Sequence, residues 1–212
     1  AAHELRSPLA ALRLQLQGLQ RAGDDTARAA AIERLSAGID RATRLVEQLL
    51  TLARQEAGST ATEPVDLRAI AQLALADAAP GAQVRSMDVG LLDSEAATVP
   101  VIVRGNAEAL RMLVRNLLDN AIKYTAPGGQ VDVQVRADNG HAVLTVEDSG
   151  PGIAPEHRER VMQRFVRETS EGAPGSGLGL AIVQAIAQGH GATVQLSASP
   201  RLGGLLVTVR FG

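Results

Sequence analysis

The stretch RNLLDNAIKYT, residues 115–125, sets four polar groups at spacings that one helix face would gather. Asn116 and Asn120 stand at i and i+4, and Lys123 and Tyr124 follow Asn120 at i+3 and i+4. All four therefore fall on one side of a helix, near its C-terminal end. Two neutral oxygen donors beside one ammonium form a cradle for a magnesium–phosphate complex, because Mg²⁺ takes oxygen ligands and keeps several waters. Taken alone, the same residues also read as a solvated helix face. Lys123 is singular in composition, since 20 of the 21 cationic residues are arginine and it is the only lysine.

Working outward, Asn106 caps the helix that carries this stretch, which runs through about Ala121. After it, alternating strands at 130–137 and 142–147 are joined by Asp138-Asn139-Gly140, a hairpin turn. The second strand runs into VEDSGPGI, where Asp148 is followed by Gly150, Pro151 and Gly152. A carboxylate at a strand end can accept a hydrogen bond from an exocyclic amine, and the two glycines let a planar ligand approach. As an isolated loop it also reads as a plain turn. A helix is expected near 155–166, then a loop of small polar residues. In GAPGSGLGLAIVQAI, Gly175, Gly177 and Gly179 precede an apolar helix near 178–189 and would expose backbone N–H groups to an anion. No Gly-Lys-Ser/Thr follows, and the βαβ unit of a dinucleotide fingerprint is absent. A last hairpin places strands near 192–198 and 204–211. Upstream, PVDLRAIAQLALADAA reads as a helix after a short strand, and AQVRSMDV and PVIVRG read as strands.

The N-terminal segment has a different texture. Ala2, Leu5, Leu9, Leu12, Leu16 and Leu19 step by 3 and 4, a heptad seam. Gly23, Asp24 and Asp25 interrupt it, Asp25 or Thr26 can cap the next helix, and Ile32, Leu35, Ile39, Ala42, Val46, Leu49 and Ala53 resume the spacing. Two antiparallel helices cannot bury so wide a stripe, so two hairpins are expected to dimerise into a four-helix bundle. Gly58-Ser59-Thr60 ends the second helix, which divides the chain into residues 1–58 and 59–212. With Leu5 and Leu12 at d and Leu9 and Leu16 at a, His3 falls at b and Glu4 at c, projecting from the bundle.

Composition narrows the chemistry. The 212 residues are 45% hydrophobic with a net charge of −2, which suits soluble domains with real cores. No cysteine is present, so there is neither a disulfide nor a thiolate metal site, and only three aromatics (Tyr124, Phe165 and Phe211) could stack on bases. With acids and bases balanced along the chain, no nucleic-acid footprint is expected. No apolar run reaches the ~18 residues of a membrane span.

In their fixed order, NLLDNAIKYT, DSGPGI, RFVR and GSGLGL resemble the N, G1, F and G2 boxes of the histidine protein kinases, and HELRSPL with its hairpin resembles their phosphoacceptor box. The resemblance implies an all-α dimerisation hairpin followed by a Bergerat-type (GHKL) α/β sandwich, with a mixed sheet on one face and helices on the other. It implies ATP and Mg²⁺ as cofactors, Asn120 as the magnesium ligand, Asn116 and Lys123 on the phosphates and Tyr124 near the nucleotide. Asp148 would read the adenine amine beside Gly150 and Gly152. Gly175, Gly177, Leu178 and Gly179 would fold over the triphosphate, and Phe165 would pin a lid spanning 154–174. His3 would be the phosphoacceptor, Glu4 its orienting base, and Ser7 would stand where family members with phosphatase activity have Thr or Asn. Pro8 should bend the helix beside it. The implied partners are a second copy of the chain and the receiver domain of a response regulator. The implied setting is the cytoplasmic portion of a bacterial inner-membrane sensor, whose membrane segments lie outside this chain. A Bergerat ATPase of the gyrase or Hsp90 kind would have glutamate at Asn116, and an anti-sigma serine kinase would lack the hairpin. A nucleotide-binding dimerisation scaffold without turnover is the remaining alternative.

Overall fold

The computed structural model describes residues 2–56, 62–92, 100–163, 166 and 177–212. The chain divides into two compact units, Ala1–Ala53 and Arg54–Gly212.

The first unit is a helical hairpin of α1 (Ala2–Gln20) and α2 (Asp25–Glu56). The cap of α2 is Asp24, one residue earlier than Asp25 or Thr26: its Oδ1 accepts from the Ala27 N–H at 2.7 Å. The heptad seams split into two faces. Leu12, Gln15 and Leu19 of α1 and Ala31, Leu35, Gly38 and Ala42 of α2 are buried or half-buried. At Gly38 the helices approach closely: a Cβ there would meet Gln15 Oε1 and stand 2.8 Å from Leu12 Cδ2. Other seam members among the described residues face outward: Leu16 is 45% exposed, and Ile32, Ile39 and Val46, seven residues apart, are 52%, 50% and 43% exposed. One hairpin thus leaves an apolar row on α2 uncovered.

The second unit runs β1 (Glu63–Asp66), α3 (Leu67–Val84), β2 (Asp88–Leu92), β3 (Ile102–Gly105), α4 (Ala107–Tyr124), β4 (Gln130–Asp138) and β5 (His141–Asp148). A 3-10 turn (Pro155–His157) leads into the four-residue α5 (Arg158–Val161), and α6 (Gly179–Gly189), β6 (Ala192–Ala198) and β7 (Leu205–Phe211) complete it. Among the described residues the main sheet has the order β2-β4-β5-β7-β6, with β2 parallel to β4 and the other pairs antiparallel. β1 and β3 form a separate antiparallel pair.

Period-two patterning builds the sheet. Val131, Val133 and Val135 on β4 pair with Asp148, Val146 and Leu144 on β5, and all six are buried. Helix α4 packs against both α3 and α6, and all three helices supply contacts to the sheet. Leu110, Leu113, Leu117 and Leu118 of α4 and Ile182 and Ile186 of α6 are almost fully buried; each such side chain contributes about 1.5–3 kcal/mol on leaving water.

Two expectations shift. AQVRSMDV is not one strand: α3 continues to Val84 across Pro80, and the strand begins at Asp88. Pro80 and Gly81 look like a stop in sequence, but both are exposed, while Ala74, Ala78 and Ala82 keep the buried stripe in register on the other side. The helix expected near 155–166 is a 3-10 turn and a single α-turn ending at Val161. The other expected helices and strands among the described residues fall where the patterning puts them, including the turn at Asn139 and Gly140, both at positive φ; the Gly58-Ser59-Thr60 linker lies outside the described residues.

Candidate nucleotide-binding site

Helix α4 brings the first group of side chains into place. Asn106 caps it, its Oδ1 accepting from the Ala109 N–H at 2.9 Å. Asn116 is buried and its Nδ2 donates to the Met112 carbonyl at 2.8 Å, one turn back. Asn120 is half-buried and Tyr124 is exposed. Lys123 Nζ donates to the Tyr124 hydroxyl at 2.9 Å and sits 4.4 Å from the ring centroid.

The first turn of α6 meets this face. A Cβ on Gly179 would lie 2.9 Å from Asn120 Nδ2 and 3.1 Å from its Oδ1, so glycine is what lets the amide rest against the helix start. Gly177 has φ +69, a conformation natural to glycine. The N–H groups of the first turn have no carbonyl partner within the helix itself, and with the helix dipole they favour an anion. Leu178 is fully buried, so its side chain belongs to the core and only its backbone can face a ligand.

Asp148 is the last residue of β5 and is buried. Its Oδ1 accepts from the Gly150 N–H at 2.9 Å and the Leu205 N–H at 3.1 Å, while Oδ2 has no hydrogen-bond partner among the described residues. Burial pushes its pKa above the ordinary carboxylate value; the two N–H bonds pull it back, and the neighbouring Glu147 charge adds to the rise. A Cβ at Gly150 would stand 3.0 Å from Asp148 Oδ1 and 3.3 Å from Thr125 Oγ1. Gly152 has φ +71 and lies against the Gly204 carbonyl. The turn is also pinned by Ser149 and Gln130, which exchange N–H···O bonds at 3.0 and 2.9 Å.

Sequence reading did not single out the β6–β7 turn, which holds Asp148 in place. The Gly204 N–H donates to the Asp148 carbonyl at 3.1 Å. Buried Ser199 accepts through Oγ from the Leu202 and Gly203 N–H groups at 2.8 and 3.1 Å, and donates to Glu147 Oε1 at 2.6 Å. Arg201 bridges Glu147 and Asp132. Burial acts to raise the pKa of Glu147, but the Ser199 hydroxyl and the Arg201 backbone and guanidinium outweigh it and hold it below the ordinary value. The Ser-Pro and Gly-Gly pairs in SPRLGG mark a turn, but nothing in the sequence says which strand end it braces.

Phe165 and Gly175 lie outside the described residues. His3, Glu4 and Ser7 are in α1, with side chains outside the described residues. No helix among the described residues is long and apolar enough to cross a membrane.

With this geometry in place, comparison with known proteins is informative. The family model of the histidine kinase-, DNA gyrase B- and HSP90-like ATPase domain matches residues 105–212, and that of the His Kinase A (phospho-acceptor) domain matches residues 1–58. The chain is 44% identical over 214 residues to the sensor protein QseC of Salmonella typhi, covering 100% of this chain and 46% of that protein. It is 36% identical to the signal transduction histidine-protein kinase/phosphatase MprB of Mycolicibacterium smegmatis, covering 92% of this chain and 40% of that protein. The chain thus spans less than half the length of these curated relatives. The solved cytoplasmic segment of histidine kinase QseC has a TM-score of 0.57 at 33% identity, covering 82% of this chain and 94% of that one. Hairpin and mixed α/β unit therefore correspond to two matched domains in their family order, and the chain belongs to the sensor histidine protein kinases.

Proposed function

We propose that the chain is a catalytic core that binds ATP with magnesium in the second unit, phosphorylates His3, and passes the phosphoryl group to an aspartate of a response-regulator receiver domain. The two functional domains would be residues 1–58 and 59–212. The observation that carries this reading is the meeting of Asn120 with Gly179, which unites the amide face of α4 and the glycine-rich start of α6 at one place.

The donor set fits magnesium. Asn120 offers a half-buried neutral oxygen, and phosphate oxygens and water would complete a shell that Mg²⁺ prefers. Bound there, the ion would neutralise charge on the phosphates. The chain's own groups do the rest: the α6 N–H groups and Lys123 take phosphate oxygens, and Asp148 Oδ2 accepts from the adenine amine. Gly150 and Gly152 leave room for the ring, Tyr124 flanks it, and Phe165 and Gly175 belong to the cover. A neutral His3 ring nitrogen attacks the γ-phosphorus. The N–P bond forms as the β–γ bridging P–O bond breaks, ADP leaves with the electron pair, and Glu4 accepts the proton from the other ring nitrogen.

The exposed row Ile32, Ile39 and Val46 supports a homodimer joined through the hairpin, since a second copy would cover it. Ser7, four positions after His3, would use its hydroxyl to hold a water for dephosphorylation of the regulator. The whole protein would be a bacterial inner-membrane sensor of which this chain is a cytoplasmic portion.

Incubation with γ-labelled ATP tests the reading. Acid-labile, alkali-stable label that disappears in His3→Gln is expected; ATP binding with no label on the protein would instead make the chain a dimerisation scaffold.

A further inference from the structure

His190 lies at the C-terminal end of α6, far along the helix from the Gly179 end, and both of its ring nitrogens are committed. The Asn106 backbone N–H, which can only donate, points at Nε2 at 3.0 Å. Nε2 therefore accepts, the ring proton sits on Nδ1, and Nδ1 donates to the Ile186 carbonyl at 2.7 Å. Room for the ring is provided by Gly105, where a Cβ would stand 2.9 Å from Nε2.

Asn106 is the N-cap of α4. An N-cap N–H is often satisfied by Glu or Gln three residues on, but that position here is Ala109. His190 takes over that task from another helix. The two helices run antiparallel and touch at both ends: Asn106 with His190 at one, and Asn120 with Gly179 at the other.

From this we infer that His190 is a positioning residue for the nucleotide site, a latch that sets how α6 lies along α4 and hence the gap between the Asn120 amide and the glycine-rich helix start. The inference rests on the reading of that gap as the phosphate side of the site. An N–H···N bond between a ring and a cap fixes both sliding and rotation of one helix on the other, which apolar ridges leave softer. Loss of the acceptor also strands a backbone N–H that α4 cannot satisfy itself.

The test uses the whole chain and three variants. His190→Leu removes the acceptor while retaining bulk, His190→Gln restores an oxygen near the Nε2 position, and Val209→Ala weakens the buried sheet at a strand residue, paired with Leu144 and Val194, that belongs to neither helix. ADP affinity is read by calorimetry, and the Asn120 side-chain amide resonances are read without nucleotide. Affinity should fall about tenfold in His190→Leu and return to within about twofold of the parent in His190→Gln. The Asn120 resonances should move in His190→Leu alone, and Val209→Ala should lower the melting temperature without changing either readout. Unchanged Asn120 resonances in His190→Leu, or the same shift in Val209→Ala, would overturn the latch. A parent chain that binds no nucleotide would instead defeat the functional reading, and the apo resonances would still decide the latch.

Discussion

Gly179 and Asn120 are in such contact that a single added methyl at Gly179 would fall 2.9 Å from the amide nitrogen of Asn120. That atom is the far end of a flexible side chain, so the fold can yield where the site cannot. Gly179→Ala is therefore expected to keep its melting temperature within a few degrees, because alanine gains about 1 kcal/mol over glycine in a helix. Nucleotide affinity should drop about tenfold as the amide is displaced. Thermal melts beside titration calorimetry check both halves of this expectation.

Glu147 and Asp148 are consecutive on β5 and titrate in opposite directions. A carboxyl whose folded pKa is raised, as for Asp148, stabilises the fold below the unfolded value and loses that contribution as pH rises through the folded value. Asp148→Asn keeps an oxygen for the Gly150 and Leu205 N–H groups but cannot ionise. It should melt higher than the parent at neutral pH, with the difference shrinking toward about pH 4. It should also lose at least about tenfold in ATP affinity, since an amide N–H₂ would replace the free acceptor. For Glu147 the sign reverses: its contribution is present above the unfolded carboxylate pKa and disappears as pH falls through the depressed folded value. Glu147→Gln should thus destabilise at neutral pH and converge with the parent in acid. Melting curves across the acid range settle the pair.

Ser199 holds two backbone N–H groups of its turn and one carboxylate. Replacing it with alanine takes the acceptor from the half-buried Leu202 N–H and the hydroxyl donor from Glu147, at a cost of about 1 kcal/mol. Because that turn presents the Leu205 N–H to Asp148, ADP affinity should weaken as well. Denaturant melts and ADP titration of Ser199→Ala measure the two effects; full affinity alongside reduced stability would show that the brace does not reach the carboxylate.

Ile39 lies in the middle of the outward row on α2. A charge there should leave the second unit folded and dissociate the dimer. Losing about 1.5–3 kcal/mol of burial from each of two copies raises the dissociation constant at least about a hundredfold. Analytical ultracentrifugation of Ile39→Asp, with circular dichroism as a control, reads this directly.

Local rules carried much of the architecture. Strict alternation along β4 and β5, the Asn139-Gly140 turn and the Asn106 cap are signals whose physics is complete within a few residues. They were legible for that reason. What escaped notice depends on partners distant in sequence. The extent of α3 past Pro80 is decided by the burial of Ala78 and Ala82, which is set by α4 and the strands that α3 packs against and not by the residues around Pro80-Gly81. The candidate site divides in the same way: Asn120, Asp148 and the glycines announce themselves by type and spacing. By contrast, Ser199, Leu205 and His190 act through contacts 52, 57 and 84 residues away. The heptad seam was visible, but its division between an inner face and an outer face depends on how the two helices are rotated about each other, and the spacing alone does not set that rotation.

Lys123, resting on Tyr124, is the only ε-amine in these 212 residues. Apart from the α-amine, any reagent that acylates amines therefore reports on one side-chain atom at the edge of the candidate site. The chain comes with its own single-position label, and changes in how fast that amine reacts translate directly into what is happening beside α4.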